Sequence, residues 1–242
     1  MSMAVVPYKQ NTETKKEQVA MMFNNISKKY DLLNHVLSLG IDVQWRKKAI
    51  RLLRPEQPQF ILDIATGTGD FALEASTLKP QKIIGVDISD GMLTVGKEKI
   101  SRKGLENVIQ LELGDSENLD FNDNKFDAVI VAFGVRNFEN LKKGLTEMCR
   151  VTRKGGQVVI IEFSKPTKFP VKQVYNLYFQ NVLPWIGKLV SRDSSAYTYL
   201  PESVSAFPYG DKFLAILESA GYSDAKCIPL TFGISSIYWA KK

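Results

Sequence analysis

The sequence predicts an α/β protein built on a doubly wound, mostly parallel β-sheet, and three observations carry this prediction. From residue 60 onward, short β-rich runs alternate with helical patterns, which is typical of a parallel sheet covered by helices on both faces. A glycine-rich turn joins the first run to the first helical pattern, at the position where such folds bind ligands. Near the end of the chain, two β-rich runs are separated by only four residues, which predicts a closing antiparallel hairpin.

Seven strands and the helices around them are predicted in chain order. The strand predictions cover residues 60–64, 82–87, 108–113, 126–133, 157–163, 225–230 and 235–240. Ahead of them, apolar residues recur with a 3.6-residue period between Val19 and Leu33, which predicts an N-terminal helix. A second helix is expected from Asp42, as its N-cap, to Leu53. Asp211 is expected to cap the last helix.

We predict one domain, residues 1–242, in four parts. These are N-terminal helices (1–55), a cofactor-binding core (56–165), a cap insertion (166–209) and a C-terminal helix with a hairpin (210–242). The cap is aromatic, with eight aromatic residues in the 35 from Tyr175 to Tyr209 against 10% in the whole chain. Such a segment either packs on the sheet or offers its inner face to an apolar substrate, and the two interpretations are compatible.

Composition narrows the class of protein. The chain has 44% hydrophobic and 24% charged residues, which is typical of an ordinary soluble protein. No apolar run approaches the ~20 residues that span a bilayer. With Cys149 and Cys227 far apart and His35 as the single histidine, we expect no metal site and a reducing, cytoplasmic setting. The net charge of +6 comes with scattered basic pairs, which indicates solvated helix faces rather than nucleic-acid binding.

The glycine-rich turn predicts a nucleoside site. Gly67 and Gly69 follow the first strand and permit a tight turn with close approach of a ligand. Asp87 lies 20 residues past Gly67, where a carboxylate can accept both ribose hydroxyls. The glycine spacing also fits a nicotinamide dinucleotide. Asp63, at the end of the first strand, opposes a pyrophosphate and favours the sulfonium and ammonium groups of S-adenosylmethionine.

Two further strand ends add to this site. Asp115 and Ser116 follow the third strand, where a carboxylate can accept from an adenine amino group. Residues 132–137 follow the fourth strand, where the acceptor substrates of open α/β sheets bind. Neither the Asn/Asp-Pro-Pro-aromatic motif nor a Pro-Cys motif of nucleic-acid methylating enzymes is present, so no nucleic-acid partner is expected. A nicotinamide-dependent oxidoreductase and a non-catalytic nucleoside- or RNA-binding module are the rival interpretations.

Several longer motifs are more specific. They are FNNISKKYDLLN (23–34), LDIATGTGD (62–70), GVDISDGML (85–93), FGVRN (133–137), EFSKP (162–166) and YTYLPES (197–203) followed by Phe207-Pro208. In these motifs and their order the chain resembles the UbiE/MenG-type demethylmenaquinone/ubiquinone-precursor C-methyltransferase family, which belongs to the class I S-adenosylmethionine-dependent methyltransferases. The resemblance implies the Rossmann-like sheet of that class. Ala132 stands where some members have serine, and Asp115 where part of the family has asparagine.

The resemblance implies S-adenosylmethionine as cofactor and a prenylated quinol as substrate. It implies that Thr68, Asp87, Asp115 and Ser116 bind the cofactor, beside Asp63 and Gly67. The expected reaction is C-methylation of 2-demethylmenaquinol to menaquinol, with a ubiquinone-precursor benzoquinol as the alternative. Tail length, peripheral contact with the inner face of the cytoplasmic membrane and a homodimer are left open.

Three residues are candidates for catalysis. The ring carbon is nucleophilic only when a neighbouring hydroxyl loses its proton, and a phenol pKa of ~10 means that this step needs help. Arg136 would favour the phenolate by its charge, Asn137 would orient the hydroxyl, and Tyr30 would orient the ring or relay a proton through water. The structural alternatives are a surface ion pair for Arg136, a turn for Asn137 and core packing for Tyr30.

Overall fold

The structure, a computed structural model, describes residues 5–38, 40–178 and 195–242. Its centre is one seven-stranded sheet in the order β3-β2-β1-β4-β5-β7-β6. The strands are β1 (Phe60–Ile64), β2 (Lys82–Asp87), β3 (Ile109–Leu113), β4 (Phe126–Ala132), β5 (Thr152–Phe163), β6 (Ser223–Leu230) and β7 (Ser235–Lys241). The first five are parallel, and β7 runs antiparallel between β5 and β6. The predicted fold class is therefore confirmed.

Strand β6 begins two residues earlier than predicted and β5 begins five residues earlier. β5 starts at Thr152, which pairs with Phe126, and the next pair in register is Ala128 with Gln157. The intervening residues form a bulge in which Gly155 has a φ of +72°. Their polar, glycine-rich composition resembles a turn, so the period-2 pattern becomes visible only from Gln157.

Helices cover both faces of the sheet. They are α1 (Lys15–Ser38), α2 (Ile41–Arg51), α3 (Asp70–Ala75), α4 (Asp90–Arg102), α5 (Leu141–Val151), α6 (Val171–Leu177), α7 (Ser195–Ala206) and α8 (Asp211–Ser219). The prediction that Asp42 caps α2 is wrong. Gly40 takes that position with a φ of +74°, and Asp42 lies buried in the first turn, bonded to Ser38 and paired with Arg46. Asp211 likewise is the first residue of its helix rather than its cap.

The core forms two layers because side chains alternate along the central strands. In β4, Val129 and Val131 face a layer that contains Leu145 of α5 and Phe213 of α8. Ala128 and Ile130 of the same strand belong to the opposite layer, which includes α2, α3 and α4. Burial at roughly 1.5–3 kcal/mol per large apolar side chain makes these layers the main source of stability.

Only parts of the cap insertion are described. Tyr175 and Tyr199 are buried, and Phe207 packs on Phe213 of the core with ring centroids 4.9 Å apart. Phe207 therefore has a packing role. Two other aromatic residues of the predicted cap, Phe179 and Trp185, lie outside the described residues. Over the part of the chain that is described, no helix is long and apolar enough to cross a membrane.

Candidate active site

A cleft opens at the carboxyl edge of the sheet, beneath α1. It encloses about 650 Å³, including the part open to solvent, which is within the usual range for small-molecule sites. Six of the nine site residues predicted from the sequence line it, namely Tyr30, Gly67, Asp87, Asp115, Ser116 and Asn137. The other three are not part of the lining: Asp63 and Arg136 are bonded to residues three positions away in their own turns, and Thr68 is bonded to Asp31 of α1.

The turn between β1 and α3 has an unusual backbone. Gly67 and Gly69 have φ values of +57° and +80°, which glycine adopts without a steric penalty. Ala65 has a φ of +51° despite its side chain, at a cost of roughly 1–2 kcal/mol. The end of β4 approaches this turn closely, because a Cβ at Gly134 would lie 2.5 Å from Cβ of Ala65. Strain of this kind is concentrated at functional sites.

Asp87 links the end of β2 to this turn. Its Oδ2 accepts a hydrogen bond from the backbone N–H of Gly67 at 2.8 Å, and its Oδ1 accepts from that of Ser89 at 2.9 Å. Burial raises the pKa of Asp87 to about 6, although these backbone donors oppose the rise. The backbone N–H of Ile88 acts on the same carboxylate. Because a carboxylate has about four acceptor positions, Asp87 can still bind a hydroxyl group in the cleft.

Asp63 lies at the end of β1 and is only half satisfied. Its Oδ2 accepts from the hydroxyl of Thr66 at 2.6 Å, but its Oδ1 has no hydrogen-bond partner within the described ranges. Burial raises the pKa of Asp63 to about 7, and the charge of Asp87 adds to the rise. A buried carboxylate with an unpaired oxygen is unfavourable unless positive charge is brought near it. The carboxyl ends of β1 and β2 therefore suit a cationic ligand.

The turn after β3 is occupied by a side chain from α1. Oδ1 of Asp115 accepts from the backbone N–H of Glu117 at 2.9 Å, and Oδ2 forms a 2.7 Å ion pair with Nζ of Lys16. Lys16 and Ser116 both line the cleft. The carboxylate that was predicted to accept from an adenine amine thus already holds a lysine.

Thr68 fastens α1 to the glycine-rich turn. Its hydroxyl donates to Oδ1 of Asp31 at 2.5 Å and accepts from Nζ of Lys99 at 3.1 Å. Lys99 also pairs with Asp31 at 2.8 Å and with Asp70 at the start of α3. Because the hydroxyl already donates one hydrogen bond and accepts another, Thr68 holds α1 against the glycine-rich turn.

Arg136 and Glu162 form a buried ion pair. The Arg136 side chain is 8% exposed and that of Glu162 0%, so the surface ion pair considered as the alternative for Arg136 is not what the structure contains. Nη1 of Arg136 donates to Oε1 of Glu162 at 2.9 Å and also to the carbonyl of Phe133. Burial raises the pKa of Glu162, and the Arg136 charge opposes that rise. Nε of Arg136 is buried without a partner among the residues described.

Asn137 and Tyr30 meet at the same cleft. Oδ1 of Asn137 accepts from the hydroxyl of Tyr199 in α7 at 3.1 Å, which fixes the amide orientation. The Tyr30 ring contacts Phe23 edge-on, with centroids 5.8 Å apart. Burial raises the pKa of Tyr30, so its phenol stays protonated at neutral pH. Asn137 therefore offers its amide, and Tyr30 a hydroxyl donor, to a bound substrate.

This arrangement belongs to a known family. The sequence profile of the ubiE/COQ5 methyltransferase family matches residues 11–242. The chain belongs to this family. The resemblance read from the motifs is confirmed, and so is the assignment of the chain as a methyltransferase.

Curated relatives within the family cover nearly all of the chain. The demethylmenaquinone methyltransferase of Bacteroides fragilis is 50% identical over 239 residues, which cover 98% of this chain and 97% of the relative. That of Porphyromonas gingivalis is 44% identical, with 98% of each chain covered. The ubiquinone/menaquinone biosynthesis C-methyltransferase UbiE of Geobacter sulfurreducens is 42% identical, with 94% and 90% covered.

Solved structures agree with the fold of this methyltransferase. A SAM-dependent methyltransferase from Thermotoga maritima has a TM-score of 0.63 at 17% identity, covering 92% of this chain and 99% of its own. Another, from Aquifex aeolicus, has a TM-score of 0.54 at 20% identity, covering 75% and 81%. These likenesses concern the fold alone.

The methyltransferase site includes residues that the sequence analysis missed. Glu162 had a visible signal, because it ends a fully apolar strand run just as Asp63 and Asp87 do. Tyr199 lies in the YTYLPES motif, but the motif does not show that the tyrosine reaches Asn137. Lys16 had no signal, since an ordinary surface-type lysine reaches the site only through long-range packing.

Proposed function

We propose that this methyltransferase transfers a methyl group from S-adenosylmethionine to a ring carbon of a prenylated quinol, converting 2-demethylmenaquinol to menaquinol. The observation that carries the proposal is the cleft, in which the predicted ribose acceptor Asp87 and the acceptor-side Asn137 line one space. Two relatives at 50% and 44% identity are named demethylmenaquinone methyltransferase, which supports the naphthoquinol as substrate.

The residues fit the cofactor. Asp87 would accept the ribose hydroxyls, Asp115 and Ser116 would bind the adenine, and Gly67 lets the ligand approach the backbone. The unpaired Oδ1 of Asp63 supports a cationic ligand, because S-adenosylmethionine carries a sulfonium and an ammonium group. Thr68 would contribute by holding α1 over the site.

When bound, S-adenosylmethionine supplies an electrophilic methyl group, and the protein must supply a nucleophilic carbon. As the bond between the methyl and the ring carbon forms, the bond from that methyl to the sulfonium sulfur would break and S-adenosylhomocysteine would leave. The methylated carbon would then pass its proton to water, which restores the aromatic ring. The phenolate that makes the carbon nucleophilic would be stabilised by Arg136. Because Glu162 neutralises much of its charge, Arg136 would act chiefly through hydrogen-bond donation.

Asn137 and Tyr30 would orient the quinol. Tyr199 holds the Asn137 amide in place, and one N–H of its Nδ2 donates to the Phe133 carbonyl at 3.4 Å, so the second N–H would bind a ring hydroxyl. The raised pKa of Tyr30 favours a donor or a relay through water over a general base. Water would therefore take the proton of the ring hydroxyl, or the quinol would ionise without a protein base.

The alternative substrate is a ubiquinone-precursor benzoquinol, since a relative at 42% identity is named for both pathways. A prenylated quinol is the proposed partner in either case. We expect a cytoplasmic protein that meets the inner face of the membrane, where such a quinol resides.

The test is a methyl-transfer assay with the purified protein, S-adenosylmethionine and a short-tailed demethylmenaquinol in detergent. We expect menaquinol and one equivalent of S-adenosylhomocysteine by mass spectrometry, with slower turnover of the benzoquinol. The oxidised quinone serves as control, because it lacks the hydroxyl that activates the carbon. Turnover of neither quinol, with NAD reduced or oxidised instead, would establish the oxidoreductase alternative.

A further inference from the structure

The net positive charge of the chain comes mainly from one segment. Residues 163–192 contain five Lys or Arg and no Asp or Glu, whereas the other 212 residues contain 27 basic and 26 acidic side chains. Nearly all of the net charge of +6 therefore belongs to these 30 residues. The described part of the segment runs from the end of β5 through α6 to Tyr178. Lys168 and Lys172 are both exposed there.

Large apolar side chains are exposed beside these lysines. Phe169 is 80% exposed and Val174 on α6 is 64% exposed. Phe232, at the turn between β6 and β7, is 81% exposed. These three residues are called the apolar rim below. Single exposed apolar side chains are ordinary on a protein surface, but several on one face mark an interaction surface.

The apolar rim lies at the same edge of the sheet as the cleft. The turn of Phe232 is held against the start of the segment, because Ser164 donates from its backbone to the Ile234 carbonyl at 3.0 Å and from its hydroxyl to the Gly233 carbonyl at 2.8 Å. The residue before Ser164 is Phe163, whose ring lies 4.6 Å from that of Phe133. Phe133 lines the cleft. The rim and the cleft thus share the carboxyl edge of the sheet.

We propose that the apolar rim, with Lys168 and Lys172, docks the protein on an anionic membrane surface with the cleft facing the lipid. Apolar side chains interleaved with lysines and free of acidic residues are the pattern of interfacial binding. A second copy of the chain fits less well, because two such basic faces would repel one another across a two-fold axis. The inference rests on the proposed function, since a prenylated quinol resides in the bilayer.

The test is co-sedimentation with vesicles of phosphatidylcholine alone and of phosphatidylcholine with phosphatidylglycerol. We expect binding to the anionic vesicles that declines with salt. Lys168→Glu with Lys172→Glu should lower the partition coefficient at least about tenfold. Phe169→Ser with Val174→Ser and Phe232→Ser should lower it on both lipids. Lys79→Glu with Lys103→Glu is the matched control, because these exposed lysines lie at the opposite edge of the sheet.

A short-tailed quinol in detergent separates this inference from the proposed function. All variants should turn it over at the wild-type rate, and the rim variants should lose turnover only when a long-tailed quinol is presented in vesicles. Equal losses of vesicle binding in the control pair would overturn the proposal. So would wild-type binding in the rim variants together with loss of a concentration-dependent dimer in sedimentation velocity, which would make the rim a contact between copies.

Discussion

At the scale of single residues, the site is organised by acidic side chains placed at the ends of buried strands. Asp87 is the last residue of β2, and Asp63 and Glu162 are the penultimate residues of β1 and β5. Each is at most 8% exposed, and burial raises the pKa of all three. Protein partners satisfy Asp87 and Glu162 more fully than Asp63, which makes Asp63 the carboxylate most dependent on a bound cation.

The first prediction concerns the pH dependence of the ligand-free protein. Asp63 has a pKa of about 7 in the folded state against an ordinary value of 3.8, so the fold favours its protonated form. Its contribution to stability is complete below pH 4 and is lost as the pH rises through 7, by about 4 kcal/mol. Asp63→Asn stays neutral and should keep this stability up to pH 8. Urea unfolding from pH 5 to 8 measures the difference.

Two comparisons make this measurement decisive. Glu98→Gln, on the exposed face of α4, removes one acidic group without burial and should follow the wild-type slope. S-adenosylmethionine should reduce the wild-type loss at pH 8, because its positive charge favours the ionised form of Asp63. Parallel slopes for wild type and Asp63→Asn would show that Asp63 is ionised in the folded protein at an ordinary pKa.

The second prediction separates the structural and the catalytic roles of Arg136. Arg136→Met leaves Glu162 buried without its cation, which costs about 3–5 kcal/mol. Adding Glu162→Gln removes the uncompensated charge and should restore most of the stability. The double variant should still have a low kcat, and raising the pH should restore part of it, because more quinol ionises in bulk water. Urea unfolding and kcat at pH 7 and 9 provide the two measurements.

The double variant is the control for folding in this comparison. A wild-type kcat in that variant at pH 7 would leave Arg136 and Glu162 as a purely structural pair. If the double variant were no more stable than Arg136→Met alone, contacts of this pair beyond the ion contact between the two side chains would be needed for the fold.

At the scale of elements, α1 is what completes the site. It reaches three separate turns, through Lys16 to Asp115, through Asn24 to Ser89, and through Asp31 to Thr68. The 3.6-residue period of its apolar side chains predicted the helix and its inward face. The polar contacts that dock it were not predictable, because each joins residues tens of positions apart.

The third prediction tests this docking. Lys99→Ala removes the cation that joins Asp31, Asp70 and Thr68, and leaves two carboxylates close together. Amide hydrogen exchange in α1 should become faster, and the Kd for S-adenosylmethionine should rise about tenfold, since closure of the helix becomes less favourable. Lys97 is exposed on α4, the helix that also carries Lys99, and Lys97→Ala is the matched control. Unchanged exchange in α1 would show that the apolar contacts alone hold the helix.

At the scale of the whole molecule, the sequence predicted the architecture better than the site. The strand and helix order follows from local periodicity, and the β6–β7 hairpin follows from a connection too short for a crossover. Errors occurred where local signals compete, as at Asp42, which forms an ion pair with Arg46 instead of capping a helix. Asp63 and Asp87 could be predicted as site residues because they stand at strand ends. The places of Lys16 and Tyr199 in the site depend on tertiary packing, which no local pattern encodes.

The last prediction concerns the whole fold as a reporter of its ligand. The site is formed by the carboxyl ends of the four strands β1 to β4 together with α1. A nucleoside that contacts several of these elements therefore binds only the folded state. At 100 times its Kd, S-adenosylmethionine or S-adenosylhomocysteine should add about 2.7 kcal/mol of stability. For a chain of this size that raises the Tm by about 5–10 °C. NAD at the same concentration should leave the Tm unchanged at pH 8, where Asp63 is ionised and repels a pyrophosphate. Asp87→Ala should abolish most of the shift, while Glu98→Gln should retain it. Stabilisation by NAD, with none by S-adenosylhomocysteine, would assign this glycine-rich turn to a dinucleotide.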